Sequence, residues 1–282
     1  MNQNESEFGV SARFVKKGLE IVDSAKKRDI ELRLLGACAV KIHCPKWRRF
    51  HEEIMGRHAT DLDFIALSED RTKIKQLLTE LGCKMMKTTV PLERRDIFMD
   101  EEGIKIDVFL DKLEMCHVMD FRKRLEIDYP TISLADLILE KTQIVKLTEK
   151  DIKDVIILFR EHKIGNSENE TINNSYIAKL LATDWGFYYT VTTNLKLIRD
   201  QFMDKWRAIL SAEDRVDVTA KINTLLDSIE DEPKSMGWKM RASVGPKKKW
   251  YRDVEEVEIG LEFQEELKKL LNKEKQEKQN SK

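Results

Sequence analysis

Thr60-Asp61-Leu62-Asp63-Phe64-Ile65 is the stretch that decides the fold. Carboxylates rarely sit inside apolar, strand-like runs, because burying an unpaired charge is costly. Asp61 and Asp63 are two positions apart, so on a strand both point to the same side. A second acidic strand, Ile104-Lys105-Ile106-Asp107-Val108-Phe109, offers a third carboxylate. Such a trio on neighbouring strands suits one or two Mg²⁺ (or Mn²⁺) ions. The plainer reading is a set of strand-end aspartates held in ion pairs.

Working outward, Asp61 to Leu67 reads as a strand and Arg71 to Leu81 as a helix closed by Gly82. Upstream, Phe8 to Lys27 carries Phe14, Val15, Leu19 and Val22 at helical spacing. Glu31 to Leu35 is a short strand ending at Gly36, and Ala37 to His43 begins a helix stopped by Pro45. Lys46 to Thr60 mixes Trp47, Arg48, Arg49, Arg57 and His58, and reads as a helical insertion or mobile loop. Cations beside an aromatic suit nucleotide or RNA contact. The alternative is an exposed amphipathic helix, since charge runs are usually solvated.

Downstream, Lys84 to Val90, Asp96 to Asp100 and Lys105 to Leu110 read as strands, with Glu101-Glu102-Gly103 turning between the last two. Arg124 to Tyr129 reads as one more short strand. Ser133 caps a helix through Lys146, and Thr148 caps another from Glu149 to His162. Gly165 to Asn174 is polar and turn-rich, the expected domain boundary. Helices follow over Tyr176 to Leu181, Thr190 to Leu210 and Asp214 to Ile229, then an irregular stretch from Asp231 to Lys249. A last amphipathic helix carries Val254, Val257, Leu261, Leu267 and Leu270. The fold class is thus α+β: a mixed sheet flanked by helices over 8–164, a mainly helical domain over 175–271, and a disordered tail over 272–282.

The chain has 282 residues, 36% charged and 41% apolar, with a formal net charge of -1. Near-cancelling charge excludes bulk attraction to polyanions, so any such binding needs a local patch. No apolar run is long enough for a membrane span and no signal-peptide pattern is present, which implies no membrane partner and a cytoplasmic chain. Cys38, Cys44, Cys83 and Cys116 match no zinc spacing and read as reduced, structural thiols. His43 and His117 read as structural, and Lys247-Lys248-Lys249-Trp250 is too short to name a ligand.

The order strand, Gly36-Ala37, helix, then Asp61-x-Asp63, then Asp107, resembles the nucleotidyltransferase superfamily, the fold shared by DNA polymerase β and the antibiotic nucleotidyltransferases. Within it the chain most resembles the group related to AbiEii-type toxins. Leu34 to His43 resembles that group's glycine-containing opening. Arg57 sits where the group has an arginine ahead of its Asp-x-Asp. Leu134 to Lys141 resembles its apolar helix ending in lysine, and Lys150 to Asp154 its later basic-acidic helix. The resemblance spans roughly residues 10 to 160, a single-domain length.

It implies transfer of a nucleoside monophosphate from an NTP to an acceptor hydroxyl, with release of pyrophosphate. Asp61 and Asp63 would hold the metals, and Asp107 would complete one site and accept the acceptor's proton. Gly36, Ala37, Arg57, Lys141 and Lys150 would meet the nucleotide. The acceptor would be RNA or tRNA, a protein or a small molecule, with an antitoxin-like protein as a further partner. Two departures stand out. Gly36-Ala37 replaces the usual Gly-Ser or Gly-Gly, leaving backbone N–H groups to hold phosphate. Lys150 replaces an arginine, giving charge without the bidentate fork. A solvated lysine near a helix end is the plain reading of Lys141, and a surface i, i+4 pair that of Lys150 and Asp154. A catalytically silent binding module, or a helical interaction protein on a scaffold, remain the competing readings.

Overall fold

The computed structural model describes residues 9–88 and 92–254. The expected fraying of Met1 to Glu7, the end of the Lys84–Val90 strand, the last amphipathic helix beyond Val254 and the disordered tail fall outside those residues.

The Asp-x-Asp run does form a strand, and it lies inside a mixed sheet. The strands are β1 (Leu32–Leu35), β2 (Leu62–Ala66), β3 (Lys84–Met85), β4 (Arg95–Met99) and β5 (Lys105–Leu110). Their spatial order is β1-β2-β5-β4-β3, with β2 and β5 parallel and the other neighbours antiparallel. The parallel pair requires a crossover. Here it contains the helix Arg71–Glu80 and the β3–β4 pair.

Alternation along the strands sorts the side chains. Leu34, Leu62, Phe64, Ile106 and Val108 are buried on one face. Helix α1 (Ala12–Lys26) covers it, with Phe14, Val15, Ile21 and Val22 buried. Gly18 permits the close approach: a Cβ there would come within 2.9 Å of Leu34 Cδ2 and 3.2 Å of Leu62 Cδ2. The opposite phase of β2 and β5 carries Asp63 and Asp107.

Helix α2 (Gly36–His43) leaves β1 directly. Helix α3 is the Arg71–Glu80 element, α4 spans Leu134–Thr142 and α5 spans Glu149–Glu161. Ser133 Oγ accepts from the Asp136 N–H, and Thr148 with Asp151 closes a reciprocal capping box. The sequence signals for both helix starts hold. Arg124 to Tyr129 forms turns rather than a strand, while a small hairpin, β6 (Lys112–Glu114) with β7 (Val118–Asp120), stands where none was expected.

The turn-rich stretch near Gly165 holds a short parallel pair, β8 (Lys163–Gly165) and β9 (Thr171–Asn173). Helices α6 (Asn174–Leu181), α7 (Trp185–Leu197), α8 (Ala212–Asp231) and α9 (Met236–Val244) follow. The expected irregularity of Asp231 to Lys249 is wrong over α9. Ser235 caps it by accepting from the Trp238 N–H. The basic-aromatic spot folds inward: Trp250 Nε1 donates to Thr190 Oγ1 at 3.0 Å, the same hydroxyl that meets His117 Nε2 at 2.8 Å. One buried core runs from Phe14 to Ile229. Arg160 pairs with Asp214 at 2.7 Å and Lys221 donates to the Phe159 carbonyl at 2.8 Å, tying α8 to α5. A mixed sheet with flanking helices and a helical C-terminal part is therefore the architecture. Among the described residues no helix is long and apolar enough to cross a membrane.

Candidate active site

Register brings the aspartates together. Asp63 on β2 pairs directly with Asp107 on β5, and Leu35 at the end of β1 pairs with Asp63 from the other side. Asp107 is buried and Asp63 half-buried. Burial, then the charges of Asp61, Asp107 and Glu140, push the Asp63 carboxyl well above the ordinary carboxylate range; Lys141 opposes them. A carboxylate crowded by carboxylates is a place that calls for positive charge.

Part of that charge comes from the chain. Arg95 Nε and Nη2 both lie 2.9 Å from Asp107 Oδ1, and Lys105 Nζ lies 2.8 Å from Oδ2. The ion-pair reading thus holds for Asp107. The Asp61 carboxylate accepts a local bond from Thr60 Oγ1 at 3.3 Å. Among the described residues no group of three or more His, Cys, Asp or Glu is assembled to hold a metal ion. The donor chemistry still fits a hard divalent cation: carboxylate oxygens, with ionisation of Asp63 opposed by burial and by neighbouring carboxylates. Taking up Asp107 would require exchange with Arg95 and Lys105.

Gly36 turns the chain from β1 into α2 at φ +70°, a conformation that L side chains resist. A Cβ there would come 2.7 Å from Asp63 Oδ2. Glycine is thus needed twice, for its backbone and for room beside the carboxylate. Ala37 is buried in the first turn of α2. The Gly36 N–H donates to Glu140 Oε2 at 3.1 Å, so a carboxylate of the chain lies where a phosphate was expected.

Behind the aspartates is a buried charge network. Lys141 Nζ lies 3.1 Å from Glu140 Oε1 and 3.4 Å from Asp154 Oδ2. It is buried, which corrects the picture of a solvated lysine at a helix end. Arg57 grips Asp154 with Nε at 2.9 Å and Nη2 at 3.0 Å. His51 Nε2 lies 3.1 Å from Asp154 Oδ1, without the alignment of a hydrogen bond. Burial works against the Asp154 charge, but Lys141, His51 and Arg57 hold its carboxyl well below the usual range. Lys150 is exposed, while Asp154 turns inward, so the expected surface pair between them gives way to the buried one.

The segment ahead of β2 is anchored rather than free. Lys41 is completely buried, with Nζ 2.9 Å from Glu52 Oε2 and 2.8 Å from the Arg57 carbonyl. Glu52 also accepts from the Ser11 N–H at 2.6 Å. Phe50–Ile54 forms one π-helical turn. Arg48, His51, Glu52 and Arg57 are all buried, and the Arg160 guanidinium stacks 3.4 Å from the Trp47 ring centroid. The expectation of a solvated helix or mobile loop holds for the exposed Lys46, Arg49 and His58 and is corrected for Arg48 and Arg57. Lys41, Glu52 and Arg57 are paired inside the protein, which is the condition for burying them, while both His51 ring nitrogens lack a hydrogen bond.

Glu140, Asp154, Lys41, Glu52, Arg95 and Lys105 complete the site and were not picked out as such from sequence. For Glu140 the signal was present: it is a carboxylate directly after the apolar run Leu137-Ile138-Leu139.

No protein-family model matches the chain, and no curated protein matches it. Among solved structures it is similar to ANT(2'')-Ia in complex with adenylyl-2''-tobramycin, at 14% identity over 52% of this chain and 87% of that one, with a TM-score of 0.35. It is also similar to a solution structure of ANT(2'')-Ia, described there as an antibiotic-resistance factor, at 13% identity over 78% of this chain and 97% of that one, with a TM-score of 0.32.

Proposed function

We propose that this chain is a nucleotidyltransferase, moving a nucleoside monophosphate from an NTP to an acceptor hydroxyl. The observation that carries the reading is the in-register pairing of Asp63 with Asp107, with Asp61 two residues earlier and Gly36 close against Asp63. Asp61, Asp63 and Asp107 would hold Mg²⁺ or Mn²⁺, which when bound supplies Lewis acidity and offsets phosphate charge.

The chain's own groups do the rest. Gly36 and Ala37 let the triphosphate approach the start of α2. Lys141, released from Glu140, meets a phosphate oxygen. Lys150 reaches the polyphosphate from the solvent side. Arg57 acts through Asp154 by fixing the segment that delivers Asp61, which makes it a positioning residue. Asp107, once its Oδ1 is free of Arg95, accepts the acceptor's proton there, with Lys105 remaining on Oδ2. The likeness to AbiEii-type toxins, an RNA or tRNA acceptor and an antitoxin-like partner belong to the same proposal.

A specific observation favours a second reading, a catalytically silent binding module. The Gly36 N–H, Lys141 and Asp107 are all paired within the chain. Incubation with each α-³²P-labelled NTP, Mg²⁺ or Mn²⁺ and total RNA separates the two. Label on RNA or protein that disappears with Asp63→Ala establishes transfer. NTP binding without transfer under every condition overturns it in favour of the silent module.

A further inference from the structure

A cleft of about 580 Å³ opens at the β3–β4 edge of the sheet, lined by Arg71, Met85, Met86, Lys87, Thr88, Leu92, Arg95, Asp96 and Ile97. That is within the roughly 300–1,000 Å³ range of small-molecule sites. Two of its lining residues touch the candidate active site. Ile97 is the β4 partner of Asp107, and Arg95 holds the Asp107 carboxylate at 2.9 Å.

The lining charge is positive. Its one acid, Asp96, is already gripped by Arg71 at 2.8 and 2.9 Å and lies 3.4 Å from Lys75. Lys87, which is exposed, faces an incoming group, and Arg95 lines the cleft while bound to Asp107. A polycationic acceptor would be repelled here. The remaining wall is apolar and rich in thioethers: Met85 is 47% exposed, and Met86, Ile97 and Met99 form a small cluster with Leu92, apart from the main core. Thioethers pack well on flat aromatic rings.

We propose that this cleft is the acceptor site, and that it takes a nucleotide unit with phosphate on Lys87 and Arg95 and base on the methionine wall. The inference rests on the transfer reaction proposed above. An acceptor phosphate that draws Arg95 away frees Asp107 Oδ1, while Lys105 stays on Oδ2. The acceptor oxygen then bonds to the α-phosphorus of the NTP, and its proton passes to Asp107. The bond from the α-phosphorus to the α,β-bridging oxygen breaks, and pyrophosphate leaves with that electron pair.

The test offers four acceptors to the full chain with α-³²P-labelled NTP: a short oligoribonucleotide, a nucleoside 5′-monophosphate, the same nucleoside without phosphate, and an aminoglycoside. Label is expected on the oligonucleotide or the monophosphate, the two distinguishing a strand end from a free nucleotide. The nucleoside and the aminoglycoside should fall roughly tenfold or more below. Lys87→Glu and Met85→Asp, both at exposed positions, should raise the acceptor KM roughly tenfold while leaving the KM for NTP unchanged. Preferential labelling of the aminoglycoside, or an unchanged acceptor KM in both variants, overturns the cleft and leaves the transfer reaction standing.

If no acceptor is labelled, the transfer reading fails by itself. Fluorescence anisotropy of a labelled oligoribonucleotide then decides the cleft. Binding lost with Lys87→Glu supports it. Binding that is absent, unaffected by that change, or competed equally by a phosphopeptide overturns it.

Discussion

Arg57 and Asp154, 97 positions apart in sequence, meet as a two-point ion pair with Asp154 wholly buried. The pair joins the segment just ahead of β2 to the middle of α5, so Asp61 and the strand bearing Asp63 that follows it are braced. Arg57 has little freedom to leave for a nucleotide.

Asp154→Ala is expected to cost about 3–5 kcal/mol in urea unfolding, because Arg57 and Lys141 would remain as buried cations without their partner. A loss below about 1 kcal/mol would show that solvent replaces the carboxylate. The groups facing Asp154 are Arg57, Lys141 and His51, with Glu140 beyond Lys141. Its pKa is lower in the folded chain than in the unfolded one. Its contribution is therefore complete above about pH 4 and is lost as pH falls through the native value. Stability of Asp154→Asn should be flatter than that of the parent below about pH 4.

Gly36→Ala should destabilise by roughly 1–3 kcal/mol, since alanine resists the positive φ and its methyl meets Asp63. Transfer activity should fall further than stability explains, because the Asp63 carboxylate has to move. Denaturation curves and steady-state rates on one preparation check both. Parental values in each would sink the argument.

Asp63→Asn should act in opposite directions on the two properties. Replacing a carboxyl whose ionisation is opposed by burial and by Asp61, Asp107 and Glu140 should raise stability, by about 1 kcal/mol at neutral pH, while transfer drops to background. Millimolar Mg²⁺ should raise the Tm of the parent and leave the variant unmoved. A less stable variant would mean that the crowding is already relieved by solvent.

Lys150→Ala should leave stability within about 0.5 kcal/mol, as an exposed position should. If Lys150 meets the triphosphate, the KM for NTP rises about tenfold. An unchanged KM removes it from the nucleotide site.

Asp61, Asp63, Asp107 and Gly36 were legible because each breaks a local rule: charge in an apolar strand, or a glycine closing one. The caps at Ser133 and Thr148 were legible for the same local reason. What escaped was long-range. Lys41 with Glu52, Arg57 with Asp154 and Arg95 with Asp107 are buried or half-buried pairs whose members look like ordinary surface charges until the fold joins them. Within Lys46 to Thr60, Arg49 and His58 are exposed as a charge run is expected to be, while Glu52 and Arg57 are buried against partners elsewhere in the chain. Helix α9 escaped for another reason. None of its residues is buried, so it has no apolar periodicity directed at the core.

The parallel pairing of β2 with β5 makes the site a matter of phase. Side chains alternate along a strand, so losing one residue from the middle of β2 would swing the carboxylate side toward α1 and turn Phe64 outward. Changes of length should thus be accepted in the connections and refused within these two strands. Within β2 and β5 the reading frame of the pleat, as much as the identity of the aspartates, is the inherited quantity.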